Sequence, residues 1–246
     1  MHLPLPRAAV LALSLLCCAP VLAQSGAVID LTNLRLSTVS TADGSTLPAV
    51  WRNATWSLSD AVRAGDRVDA HHDSEPNADY GSRLPTHVTS LLDSGGATVR
   101  IAGIFDDIHA AATFGHAEYD EHTAEATATT TAFVDVPGHA RLTLSGHLRV
   151  DSTGDPDGDF ARFSTLFAFQ GLVTDSVVLD RVNGYDQDFA IVADNPYDGN
   201  IAFYQVTTLS AFGLAPASPV SEPPAAAMLA AGALLAGWRW GRRRRT

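Results

Sequence analysis

Between residues 24 and 214, apolar and polar side chains alternate with a period close to two. That is the spacing at which successive side chains of a strand point to opposite faces. The clearest run is 141–150. Leu142, Leu144, Leu148 and Val150 share one face there, with Gly146 among them, and Arg141, Thr143, Ser145, His147 and Arg149 share the other. Such a segment predicts an antiparallel strand with one face buried and the other in water. Residues 125–136 alternate Ala and Val with Thr and Glu, and Phe163, Phe167 and Phe169 fall on one face of a later run. The same reading gives strands over 29–39, 50–58, 98–105, 176–182, 189–193 and 201–212. Turn pairs such as Asp43-Gly44, Gly95-Gly96, Pro137-Gly138, Asp157-Gly158, Asn183-Gly184 and Asp198-Gly199 separate them. Residues 106–122 read either as a helix or as an irregular strand, and 74–85 read as a loop. Many short strands divided by turns predict an all-β domain over 24–214, an antiparallel β-sandwich or jelly roll.

The two ends break this pattern. Arg7 precedes an apolar stretch over 8–18 that is too short to cross a bilayer, and Val21-Leu22-Ala23 places small residues at the −3 and −1 positions of a cleavage site. Residues 1–23 therefore predict a secretory signal peptide, cut by signal peptidase between Ala23 and Gln24. At the other end, 215–221 read as a Pro/Ala-rich linker, running into Pro219-Val220-Ser221-Glu222-Pro223-Pro224. A transmembrane helix is expected over 223–240, followed by Arg242, Arg243, Arg244 and Arg245. Its apolar part, 223–238, rises about 24 Å at 1.5 Å per residue, short of the roughly 30 Å hydrocarbon core. A span this short and rich in alanine suits a temporary anchor. The arginines keep the extreme C-terminus in the cytoplasm and the domain outside.

This order of parts over 222–246 resembles the PEP-CTERM sorting signal of exosortase substrates, with Ser221 standing where that family usually has proline. The resemblance implies that Val220, Glu222 and Pro223 lie in the stretch read by an exosortase-like membrane peptidase. It implies a protein exported across the inner membrane, anchored there for a time, then left at the cell surface or in the extracellular matrix. It also implies association with exopolysaccharide or biofilm.

Charge narrows the partners. The chain has no lysine, which removes phosphate-loop and Schiff-base lysine chemistry. All 27 acidic residues lie between Asp30 and Glu222, against ten arginines outside the leader and tail, so the middle carries about −17. Such a surface repels phosphate backbones, and no nucleic acid is expected as a partner. Both cysteines, Cys17 and Cys18, lie in the leader, so the domain holds no disulfide and depends on core burial.

Four clusters are candidates for metal. Asp151, Asp155, Asp157 and Asp159 crowd a loop with a glycine turn, a donor set suited to Ca²⁺ and equally a composition that turns favour. Phe160 and Leu166 stand where an EF-hand loop needs glycine and glutamate. Asp194, Asp198 and Asn200, with Asp186 and Asp188 nearby, pose the same pair of readings. His116, Glu118, Glu121 and His122, with His109 upstream, could hold a transition metal or could be surface side chains, and they fit no common zinc spacing. His71-His72-Asp73 is a weaker cluster of the same kind. No nucleophile elbow, H-E-x-x-H, phosphate loop or dinucleotide fingerprint occurs, so no enzyme is expected. The alternative function is a carbohydrate-binding jelly roll, with or without dependence on Ca²⁺, with exposed aromatics such as Trp51 and Tyr197 stacking on sugar. Coplanar exposed aromatics on a sheet face would favour that alternative, and a flat polar face the structural role.

Overall fold

A computed structural model of the chain describes residues 25–76, 85–92, 95–114, 122–152 and 158–215. The expected leader, with Ala23 and Gln24, lies outside these residues. So does the tail, with Val220, Glu222, Pro223, the 223–240 helix and Arg242, Arg243, Arg244 and Arg245. No helix among the described residues is long and apolar enough to cross a membrane.

The fold is all-β, as the alternation predicts. In chain order the strands are β1 (Ser25–Ser40), β2 (Thr46–Leu47), β3 (Val50–Ala64), β4 (Arg67–Glu75), β5 (Thr86–Leu92), β6 (Gly95–Ile101), β7 (Ile108–Phe114), β8 (His122–Val136), β9 (Ala140–Ser152), β10 (Phe160–Phe169), β11 (Leu172–Val182), β12 (Tyr185–Asn195) and β13 (Ile201–Ala215). They form two antiparallel sheets. The first runs β12-β9-β1-β7-β6-β5, with β2 pairing the end of β1, and the second runs β11-β10-β13-β8-β3-β4. β1 and β13, the first and last strands, both lie inside their sheets and contact each other. The stretch with two sequence readings is a strand where it is described, Ile108–Phe114. β4 and β5 escaped the sequence reading for a physical reason. β4 is a sheet edge whose half-buried positions are the polar Asp69, Asp73 and Glu75, so it carries no period-two apolar signal.

The inward-facing residues of both sheets build one core. Trp56, Phe114, Phe163, Phe167, Phe203, Ile29, Leu31, Leu142 and Leu144 are all buried in it. Phe163 of the second sheet meets Phe189 of the first edge to face, with centroids 5.0 Å apart. Gly146 faces that ring, and a Cβ there would stand 3.0 Å from it, which is why the apolar face of β9 carries a glycine at this point.

Two bulges keep long strands in phase with the core. In β1 the inward set is Ala27, Ile29 and Leu31, then Leu34, and pairing with β9 shifts between Thr32 and Arg35. Asn33 takes the extra position with φ 55°, a conformation asparagine tolerates better than most residues. Asn53, at φ 48°, marks the equivalent shift between Arg52 and Thr55 in β3.

Aspartates close the two lateral sides. Asp175 on β11 accepts the Val192 N–H of β12 at 2.7 Å, and Asp69 on β4 accepts the Leu91 N–H of β5 at 2.8 Å. These bonds tie the edge strands of opposite sheets together and occupy donors that would otherwise be open to another chain.

Candidate functional site

The long strands begin and end at two poles. One pole gathers the start of β1, the end of β13, and the end of β9 and start of β10, which flank the acidic cluster in sequence. Asp159 is fully buried there. Its Oδ2 accepts the Gly26 N–H of β1 and its Oδ1 the Leu214 N–H of β13, each at 2.9 Å. The backbone is crowded at this point: a Cβ on Gly26 would run into the Ala112 carbonyl of the adjacent strand β7, and one on Gly213 of the opposite sheet would stand 3.1 Å from the same carbonyl. Asp159 thus acts as a clasp between the two ends of the domain. Asp151 lies apart on the outer face of β9, exposed, with an Arg149 Nη2 at 3.8 Å. Asp155 and Asp157 lie outside the described residues.

The described members of the other sequence clusters pair mainly with neighbours on adjacent strands. His109 bonds Asp30 across β7 and β1 at 2.6 Å, whereas His122 opens β8 in the other sheet, at the pole of the chain ends, its ring tilted against Phe114. His116, Glu118 and Glu121 lie outside the described residues. Asp194 forms a two-pronged pair with Arg141, at 2.7 and 3.0 Å. Those hydrogen bonds pull the Asp194 carboxyl below its ordinary range and raise the guanidinium. Asp198 meets His139 Nε2 at 2.7 Å, and Asn200 is exposed beside it. No group of three or more metal-ligating side chains converges among the described residues.

His71 enters a different network. Ser90 is fully buried and donates its proton to Asp60, so the 3.0 Å bond between His71 Nδ1 and the Ser90 oxygen has the ring as donor. Asp60 also accepts the His71 backbone N–H at 3.2 Å. Serine, histidine and aspartate meet here, but the hydroxyl faces the interior. The trio fastens β3 to β4 and β5.

The outer face of the first sheet is charged. His87, Arg100, His109, Asp30, Arg149 and Asp186 occupy one transverse row from β5 to β12. Beside that row His147 is held between two aspartates, Nδ1 to Asp188 and Nε2 to Asp186, each at 2.8 Å. The hydrogen bond to Asp188, then the negative charge of both, raises the imidazole above its ordinary 6.5.

The outer face of the second sheet is uncharged over most of its middle. Thr55 bonds Thr131 at 2.6 Å, Thr127 bonds Ser210 at 2.9 Å and Thr129 bonds Thr208 at 3.3 Å, forming hydroxyl rows across β3, β8 and β13. At the pole away from the chain ends these rows give way to apolar groups. Phe133 and Tyr204 stand side by side, 39% and 37% exposed, with centroids 5.1 Å apart and planes inclined at 44°. Next to them is a shallow hollow of about 320 Å³, lined by Phe133, Tyr204, Ala168, Ala202, Gln170 and Gly171. The aromatics singled out by sequence differ from these. Trp51 is half-buried, edge to face with Phe105 at 5.9 Å, and Tyr197 is exposed on the turn after β12. The missed signal was phase. Phe133 and Tyr204 occupy polar-side positions of their strands, between inward Ala132 and Val134 and beside inward Phe203.

No protein-family model, no curated protein and no solved structure matches this chain.

Proposed function

We propose that this chain is an exported, non-enzymatic protein of the bacterial envelope or extracellular matrix. It is cut by signal peptidase before Gln24, held in the inner membrane by its C-terminal helix, and freed by an exosortase-like peptidase near Glu222-Pro223. Association with exopolysaccharide at the cell surface is its working state. The observation that carries this reading beyond the tail motif is the meeting of the chain ends. Gly26 and Leu214 share one carboxylate at one pole, so a leader before Gln24 and an anchor after 222 would leave from the same side of the domain. A domain tethered this way stands on the membrane by that pole and presents the opposite one outward. The deciding experiment is a C-terminal epitope tag on the full chain, followed in a host with the processing machinery. Loss of the tag from surface-located protein is expected. A tag retained on the mature surface protein would make the segment a plain anchor.

A further inference from the structure

We infer that the hollow beside Tyr204 is a binding site for an uncharged polysaccharide, with one sugar ring lying against Tyr204 and Phe133. The inference builds on the matrix reading by naming a ligand class and a place for it, but it draws on the domain alone and not on the tail.

The geometry begins with strand register. Val173, Ala168, Tyr204, Phe133 and Arg52 are successive partners across β11, β10, β13, β8 and β3, forming one transverse row on the outer face. At about 4.8 Å between strands, the four steps span roughly 19 Å, enough for a short run of sugars. Within the row, Ala168 is the small residue, and its missing bulk leaves the hollow beside the Tyr204 ring. Leu172 and Val173, 74% and 58% exposed, continue the apolar surface at the hairpin. A patch of exposed aromatic and aliphatic groups on an otherwise hydroxyl-covered face calls for a ligand rather than bare solvent.

The chemistry of the lining selects the ligand. A pyranose ring has apolar C–H faces and a polar rim of hydroxyls. The hollow matches both parts. Its floor is aromatic and methyl carbon, and its rim offers the Tyr204 hydroxyl and the Gln170 amide. Gln170 and Gly171 form the β10–β11 turn with φ of 51° and 81°, which places Gln170 at the edge of the hollow. Beyond the aromatic pair lie the hydroxyls of Thr131 and Thr55, able to meet neighbouring sugar units. Charge excludes the acidic alternatives. The one cation in the row, Arg52, is paired with Asp135 at 3.2 Å, and the domain as a whole carries an excess of carboxylates, so a polyuronate would be repelled. The two ring planes are inclined by 44° and not coplanar, so the pair does not meet the flat-platform criterion drawn from sequence; it suits one sugar ring held between two tilted faces rather than a flat row of stacked sugars.

The test uses the full chain in lipid nanodiscs and a panel of soluble gluco-, manno- and galacto-hexaoses, with an alginate hexamer as the charged counterpart. Binding is read by calorimetry, and fold is checked by circular dichroism. At least one neutral hexaose should bind and alginate should not. Tyr204→Ala and Phe133→Ala should each weaken binding tenfold or more, Tyr204→Phe should keep most of it, and Tyr197→Ala should leave it unchanged. The inference is overturned if no neutral hexaose binds, if alginate alone binds, or if correctly folded Tyr204→Ala and Phe133→Ala bind as well as wild type. It is equally overturned if the patch instead joins two copies, seen as an oligomer that Tyr204→Ala dissociates in sedimentation. The epitope-tag result is independent of all these outcomes, so failure of the sugar site is distinguishable from failure of the sorting reading.

Discussion

Replacing Asp159 by alanine should destabilise the domain by opening the clasp between its two end strands. The carboxylate is fully buried and accepts one backbone N–H from each end strand, both at 2.9 Å. Hydrogen bonds to a charged group contribute about 1.5–3 kcal/mol each, and a buried donor left unpaired costs about 1–3 kcal/mol. Alanine also removes a buried charge, which offsets part of the loss. A net cost of about 3 kcal/mol follows for the pair of bonds. For a domain of this size each kcal/mol lowers Tm by about 2–4 °C, so the variant should melt roughly 6–12 °C below wild type. Asp159→Asn keeps the volume and one acceptor but turns an amide N–H toward the second backbone N–H, so it should lose about half as much. Thermal unfolding followed by far-ultraviolet circular dichroism measures the loss, and hydrogen exchange at Gly26 and Leu214 locates it. An alanine variant melting within about 2 °C of wild type, or exchange at those two amides left unchanged, would refute the clasp.

Three further outcomes follow from the same reasoning. His147 should titrate above 6.5 by NMR and move back toward 6.5 in Asp188→Asn; since its folded value is raised, its tie between β9 and β12 is complete below about pH 6.5 and is lost as pH rises through the folded value, and a titration at or below 6.5 in the native domain would contradict the geometry. Gly146→Val should cost about 1–3 kcal/mol by pressing on Phe189, and a variant as stable as wild type would mean the two sheets separate there more easily than the packing implies. Ca²⁺ bound at Asp155 and Asp157, without Asp159, whose oxygens hold the Gly26 and Leu214 N–H groups, should raise stability by about 2.7 kcal/mol at a hundredfold excess over Kd, whereas a melting temperature indifferent to both millimolar Ca²⁺ and EDTA rules the ion out.

The sequence carried the fold wherever one face of a strand is buried and the other wet. β9 is the clear case, since every inward position predicted for it is core and every outward one is not. Legibility failed at edges and bulges. β4 pairs on one side only and has few inward positions to mark, so 67–73 suggested no element and its last residues, Ser74 and Glu75, fell in the stretch read as a loop. Asn33 and Asn53 shift the phase within their strands, and a strict period of two cannot express that shift. Inward Gln205 and Thr207 read as solvent-facing residues by type, yet both are buried, with Thr207 bonded to Thr165 at 2.9 Å. The acidic cluster shows the limit for sites. Its members sit close along the chain, but Asp151 faces outward on a strand and Asp159 points inward, because strand alternation and a sheet-to-sheet crossing separate what sequence places together. The aromatic pair failed in the opposite way. Phe133 and Tyr204 are 71 residues apart and become neighbours only through the β8–β13 register.

The position of β13 sets how much of the C-terminus can be removed. β13 lies between β10 and β8, so it is hydrogen-bonded on both sides, and it is needed up to Leu214, whose N–H binds Asp159. A cut near Glu222 falls seven residues beyond Ala215, the last strand residue, and spares every one of these contacts. A release site inside the strand would instead remove buried Ala211 and the clasp with it. A chain ending at Ser221 should therefore melt at the same temperature as a longer one freed of membrane, whereas a chain ending at Ser210 should fail to fold cooperatively. Parallel melts of the two truncations decide the point. If the chain ending at Ser221 is markedly less stable, residues beyond the strand are part of the folded domain, and release near Glu222 would damage the protein it is meant to deliver.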